Sequence, residues 1–187
     1  MTAMENTVAE ALDNLASQSS SLFSNRLHTT PFDADWHSPC IQKVDGDSCF
    51  WQPVPQSPRV NFAGLEHALE MTIHPDIVAY YSCFWSGTLE TNSQEGQVSL
   101  IQLWNAEDFD RLIANLIGHA MVKQKQRENF SVFFANTEPD SEMFLSIDNQ
   151  TGKILLEEAG KKDHRIVESD IRTFLTRLQP VVRQSDI

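Results

Sequence analysis

Residues 106–158 read AEDFDRLIANLIGHAMVKQKQRENFSVFFANTEPDSEMFLSIDNQTGKILLEE, and this stretch decides the fold class. Phe109, Leu112, Ile113, Leu116, Ile117 and Ala120 recur at i, i+3, i+4 and i+7, which predicts one amphipathic helix from Glu107 to about Arg127. Glu107, Asp108 and Asp110 crowd its first turn, and Lys123, Lys125 and Arg127 sit near its end. Each set opposes the partial charge of that helix terminus. Phe130–Ala135 and Glu142–Asp148 then read as strands, and Asn149-Gln-Thr-Gly152 turns the second back into a third, Lys153–Glu157. A long helix followed by strands that double back gives an α+β fold on a mainly antiparallel sheet of about six strands, packed with helices.

Toward the N-terminus, Gly87–Thr91 and Gln97–Trp104 read as two more strands joined by Asn92–Gly96. Pro75 opens a short helix that buries Ile77, Val78, Tyr80 and Tyr81, and Asn61 is the N-cap expected for another carrying Leu65, Ala68, Leu69 and Met71. Pro53, Pro55 and Pro58 are expected to forbid regular sheet pairing and mark a surface connection. Asp45-Gly46-Asp47 joins Cys40–Val44 to Ser48–Gln52 as a hairpin, after a loop punctuated by Pro31 and Pro39. Val8, Leu12, Leu15, Leu22 and Phe23 share one stripe of an N-terminal helix expected over about residues 3–27. At the other end Ser169 is the expected cap of a last helix bearing Ile171, Phe174, Leu175 and Leu178, which Pro180 ends. No internal repeat or low-complexity tract interrupts the chain, so residues 1–187 read as a single domain with its core over about 38–180.

Composition narrows the function. The 187 residues carry 26 Asp plus Glu against 14 Lys plus Arg, a formal charge of -12. Nucleic acid is not an expected partner, because phosphate binding is driven by cationic side chains that release counterions. Direct lipid binding is not expected either, since an anionic leaflet repels such a chain. Cys40, Cys49 and Cys83 form no C-x-x-C pair and read as reduced thiols of a cytosolic protein. The opening Met1–Thr7 stretch is acidic where a secretory leader would be positive. The longest nearly apolar run, Leu112–Val122, is too short for a bilayer span, which needs about twenty residues.

No sequence motif for catalysis is present: no G-x-G-x-x-G, P-loop, G-x-S-x-G or H-E-x-x-H. His37 lies three residues before Cys40, with Asp33 and Asp35 nearby, a grouping that suggests an activated thiolate. Cysteine hydrolases, however, assemble Cys and His from distant positions, so a structural thiol is the better reading and no enzyme activity is expected. None of the six histidines sits within four residues of another, and neither a metal nor a cofactor is expected. His119 flanks the apolar stripe and reads as a hydrogen-bonded boundary residue. Gly118, which costs about 1 kcal/mol against Ala inside a helix, suggests close approach of another segment. The carboxylates fall into local groups: Glu107, Asp108 and Asp110; Glu138, Asp140 and Glu142; Glu157 and Glu158. Each alone reads as solvated surface; gathered on one concave face they would steer a basic partner.

An ordered set of short blocks then identifies a family. Ser38-Pro-Cys-Ile41, Trp51-Gln-Pro53, His74-Pro-Asp-Ile77 with Tyr80-Tyr81, and Phe84-Trp-Ser-Gly87 are followed by Leu103-Trp-Asn105 with Asp108-Phe109. Asn115-Leu-Ile-Gly-His119 and Ser146-Ile-Asp-Asn149 before Thr151-Gly152 complete the set. The pattern resembles the Syd family of bacterial SecY-interacting proteins, within the wider SUKH group, and spans most of the chain.

That resemblance implies a cytosolic protein held at the cytoplasmic side of the inner membrane by SecY, the channel subunit of the translocase, and acting as a monitor or negative regulator of that channel. Cytoplasmic loops of membrane proteins carry an excess of Lys and Arg, which suits a chain this acidic. Glu66, Asp108, Glu142 and Asp148 are the expected partner-binding carboxylates, with Trp51 as an aromatic anchor or, equally, a core residue. The alternative is a SUKH-type immunity protein that neutralises a basic nuclease toxin.

Overall fold

The protein is described by a computed structural model covering residues 3–162 and 164–183. Met1 and Thr2 of the opening stretch, and residues 184–187 of the single domain expected over 1–187, lie outside the described residues.

Helix α1 (Ala3–Ser20) buries Val8, Leu12, Leu15 and Ala16, much of the expected stripe. It is shorter than expected. A 3-10 turn at Ser24–Arg26 follows, Asn25 and Arg26 take positive φ, and Leu22 is left exposed. Strand β1 (His28–Pro31) then occupies what the sequence reads as loop. It pairs antiparallel with β3 (Ser48–Trp51), which also pairs with β2 (Ile41–Asp45) in the three-stranded order β1-β3-β2. The β2–β3 hairpin is the expected one, with Gly46 at φ 60 in its turn.

The proline segment is not excluded from sheet. Strand β4 (Val54–Pro55) pairs with β5 (Phe84–Trp85) in a two-stranded ladder, which can hold a proline because Pro55 has no second neighbouring strand to donate to. Helices α2 (Ala63–Leu69) and α3 (Pro75–Tyr81) follow the expected order. Phe62, not Asn61, takes the cap position of α2, although the Asn61 carboxamide oxygen accepts from Ala63 N at 2.7 Å. Met71 falls beyond the helix and is exposed.

The main sheet has seven antiparallel strands: β6 (Leu89–Ser93), β7 (Gly96–Leu100), β8 (Ser131–Asn136), β9 (Met143–Asp148), β10 (Ile154–Glu158), β11 (His164–Glu168) and β12 (Gln179–Pro180). Their order is β11-β10-β9-β8-β7-β6-β12. Strand β7 stops at Leu100, short of the expected Trp104. Helix α4 (Ala106–Gln126) links β7 to β8, and α5 (Ile171–Thr176) links β11 to β12. The α5 cap is Asp170 rather than Ser169: its carboxylate accepts from Thr173 N at 2.7 Å.

Helix α4 covers one face of this sheet. His119 lies 3.4 Å from Ser131 Oγ and its ring meets Phe133 and Phe144. Lys123 is buried beneath the helix in an ion pair with Glu157, whose carboxylate also accepts from Ser131 and Ser146. Helices α3 and α5 pack on the other face, where Tyr80, Phe134 and Phe174 meet edge to face. The Gly118 expectation does not hold: a β-carbon there would meet nothing within 4 Å, so no segment approaches it.

Candidate partner-binding cleft

Between the three-stranded sheet and the start of α4 lies a cleft of about 460 Å³. Its wall is local chemistry locked by a few long-range bonds. Asn105 caps α4 by accepting from Asp108 N at 2.9 Å, and the Asp108 carboxylate returns to accept from Trp104 N at 3.0 Å. This reciprocal cap follows from an Asn three residues before an Asp at a helix start. Asn105 Nδ2 also donates to His37 O at 2.8 Å, and Trp104 Nε1 donates to Trp36 O at 3.0 Å. The turn carrying Asp33 and Trp36 is thereby tied to the helix start.

Trp51, only 4% exposed, forms the floor. Its ring stacks on His28 and meets Trp104 edge-on, with centroids 5.7 Å apart. Gly87 sits against it so closely that a β-carbon would lie 2.6 Å from Trp51 Cζ2. Only glycine leaves the indole where it is.

Asp33, Glu90 and Asp108 line this cleft together with Trp36, Trp51 and Trp104, and its lining includes no Lys or Arg among the described residues. Glu90 is committed: Arg183 lies 2.6 Å away and Ser99 donates to it at 2.6 Å. The Asp33 carboxylate is exposed and orders its own turn by accepting from Asp35 N. Trp51 Nε1 is buried without a hydrogen-bond partner among the described residues.

Two of the five expected contact residues meet here, Asp108 and Trp51, and the other three are elsewhere. Glu66 accepts from Ile73 N at 2.9 Å and closes the α2–α3 connection. Glu142 is exposed just before β9, and Asp148 ends that strand, so a six-residue strand of about 20 Å separates them. Asp148 is 7% exposed, and one of its oxygens accepts from Gln150 N, Thr151 N and Thr151 Oγ1. It shapes a turn rather than presenting a charge. Trp51 is packed as floor and does not project as an anchor. The acidic groups do not share one cleft either. Glu138 and Asp140 line a separate cleft of about 340 Å³ with Glu95 and Arg165, and Glu157 is inside the protein, not on a solvated surface.

The sequence matches the Syd protein (SUKH-2) family over residues 9–180, a span that includes every residue of this cleft. The chain belongs to the Syd family. It is 34% identical to Protein Syd of Pseudoalteromonas atlantica over 183 residues, 95% of this chain and 98% of that one. It is 39% identical to Protein Syd of Hahella chejuensis over 147 residues, covering 78% and 76% of the two chains. Protein Syd of Alteromonas mediterranea is 34% identical over 152 residues, or 80% and 83%.

In this Syd family member the cysteine grouping weighed from sequence lacks the features of a nucleophile. Cys40 is buried, Ser38 Oγ lies 2.7 Å from its sulfur, and burial pushes the thiol up to about 11. A reactive thiolate needs the opposite shift. Among the described residues no three His, Cys, Asp or Glu side chains are grouped so as to hold a metal ion, and no helix is long and apolar enough to cross a membrane. The sequence reading missed Asp33, Trp36, Glu90 and Trp104 as cleft residues. The local signal for Trp104 and Asp108 was the Asn-x-x-Asp helix start, but nothing local places Asp33 or Glu90 beside it.

Proposed function

We propose that this Syd family member is a binding protein, not an enzyme, and that its cleft receives basic cytoplasmic loops of SecY. One observation carries the reading: a concave wall holding the Asp33 and Asp108 carboxylates and three tryptophans, with Glu90 compensated by Arg183 and no Lys or Arg among the described residues that line it. Carboxylates in a hollow focus the field and attract cationic polypeptide, and neighbouring aromatic faces accept both the stems and the charges of Lys and Arg. The net charge of -12 adds long-range attraction to a basic loop and repulsion from anionic lipid. Attachment to the cytoplasmic side of the inner membrane is therefore indirect, through the channel, and the bound protein monitors or restrains it.

The test is titration of the full chain with peptides spanning the basic SecY loops, at low and high salt. Affinity is expected to fall steeply as salt rises above about 0.15 M, where the Debye length is about 8 Å. The paired change Asp33→Lys with Asp108→Asn should abolish binding, since Asn keeps an acceptor for Trp104 N while removing the charge. Salt-independent binding, or binding that survives both substitutions, would overturn the reading, as would adhesion to protein-free anionic vesicles at moderate salt.

A further inference from the structure

The rim of the cleft already holds a cation on an aromatic face. The Arg111 guanidinium carbon lies 3.9 Å from the centroid of the Trp36 ring. Arg111 is exposed, and no ion pair joins it to any carboxylate among the described residues, although Glu107, Asp108 and Asp110 are its neighbours on α4. Among the described residues no hydrogen bond or ion pair holds its guanidinium, and the contact it makes is with the Trp36 ring. The backbone that carries Trp36, by contrast, is anchored. Its carbonyl accepts from Trp104 Nε1, the next carbonyl accepts from Asn105, and Asp33 braces the same turn. An indole on an anchored turn, with an unpaired guanidinium above it and Asp33 and Asp108 in the same cleft, is a preformed cation subsite occupied from within.

We propose that the Trp36 face is where the cleft binds a Lys or Arg side chain of its partner, and that Arg111 is an internal stand-in which the partner displaces. This rests on the reading of the cleft as a receptor for basic polypeptide. Displacement exchanges one cation–π contact for another, and the released Arg111 can turn toward the carboxylates of its own helix. The internal cation therefore tunes affinity and disfavours partners that lack a side chain able to replace it.

The experiment is a double-mutant cycle on the full chain with Arg111→Gln and Trp36→Leu, read by fluorescence anisotropy of a labelled arginine-containing peptide. Its citrulline counterpart, which keeps the shape and loses the charge, serves as control. The tie to Trp104 runs through the Trp36 backbone, so Trp36→Leu keeps it, and Trp36→Phe is a second variant that retains a weaker aromatic face. Trp36→Leu should weaken the arginine peptide about three- to tenfold, with Trp36→Phe between it and the native chain. Arg111→Gln should tighten binding in the native background by more than it does in the Trp36→Leu chain, and that non-additivity is the signature of a shared site. Equal effects of Arg111→Gln in both backgrounds would mean that it acts through net charge alone, and would overturn this subsite. The wider reading would then still stand if Asp33→Lys weakens the same peptide. If Asp33→Lys has no effect and citrulline binds as well as arginine, the cleft is no receptor for cations and both conclusions fall.

Discussion

The imidazole of His28 lies flat on the indole of Trp51, ring centroids 4.3 Å apart and planes within 16° of each other. His28 is buried, its Nε2 is 3.3 Å from Ser20 Oγ, and burial lowers its pKa from 6.5 to about 4. A histidine held neutral in the native state but free to protonate in the unfolded chain makes stability rise with pH. The loss begins as pH falls below about 6.5 and is complete near 4. It amounts to up to about 3 kcal/mol, at about 1.4 kcal/mol for each tenfold difference in proton affinity between the two states. Urea unfolding between about pH 4 and 7 should show this slope, and His28→Phe should flatten it; an unchanged slope would show that the titrating group is another residue.

The buried pair Lys123–Glu157 sets a second expectation. Burial opposes both charges, yet the bonds to Glu157 and Glu128 outweigh it and raise the Lys123 pKa, and those from Lys123, Ser131 and Ser146 lower that of Glu157. The Glu157 contribution is present above the ordinary carboxylate range and is lost as pH falls through it. That of Lys123 is lost only as pH rises beyond its ordinary 10.5. Lys123→Met strands a buried carboxylate and should cost about 3 to 5 kcal/mol, while Lys123→Met with Glu157→Leu should recover much of that loss. Chemical denaturation of the two variants checks the order.

Gly87→Ala places a methyl 2.6 Å from Trp51 Cζ2 and 2.9 Å from its Cη2. Either the indole moves or the backbone does, at a cost of about 1 to 3 kcal/mol. A lower melting temperature with altered near-ultraviolet dichroism is expected, and loop-peptide binding should weaken because the cleft floor shifts. Native-like dichroism and melting would show that the site has slack to spare.

Cys40, at 0% exposed and with its thiol pushed up to about 11, should resist thiol reagents in the folded chain at about pH 8 and react only on unfolding. Labelling followed by mass mapping decides this. Rapid modification of Cys40 in the native protein would reopen the case for a nucleophile.

The elements that sequence reading located are those whose signal is local. The period of Phe109, Leu112, Leu116 and their neighbours needs only a helix to be meaningful, and Asp45-Gly46-Asp47 or Asn149–Gly152 needs only a turn. The strands it missed have no such signal. Strand β11 is exposed over His164–Ile166, and β4, β5 and β12 are two residues long. All four exist because a partner lies beside them, and β1 exists because it pairs with β3. Short-range cues failed similarly at Ser169, where Asp170 one residue on supplied the better acceptor, and at Gly118, whose open side leaves nothing to approach.

The same division runs through the site. Composition and order of residues alone establish an α+β chain of charge -12 bearing the blocks of the Syd family, because charge, period and motif are properties of the chain itself. Which carboxylates share a hollow was settled only when β1 paired with β3 and the Asp33 turn was bonded to the start of α4. Those contacts join residues some seventy positions apart, as Trp36 to Trp104 and His37 to Asn105. Asp148 and Glu157 look as available as Asp33 in the linear order. Folding committed one to a turn and the other to a buried lysine, because an unpaired charge inside a protein is too costly to leave and a turn donor too close to ignore.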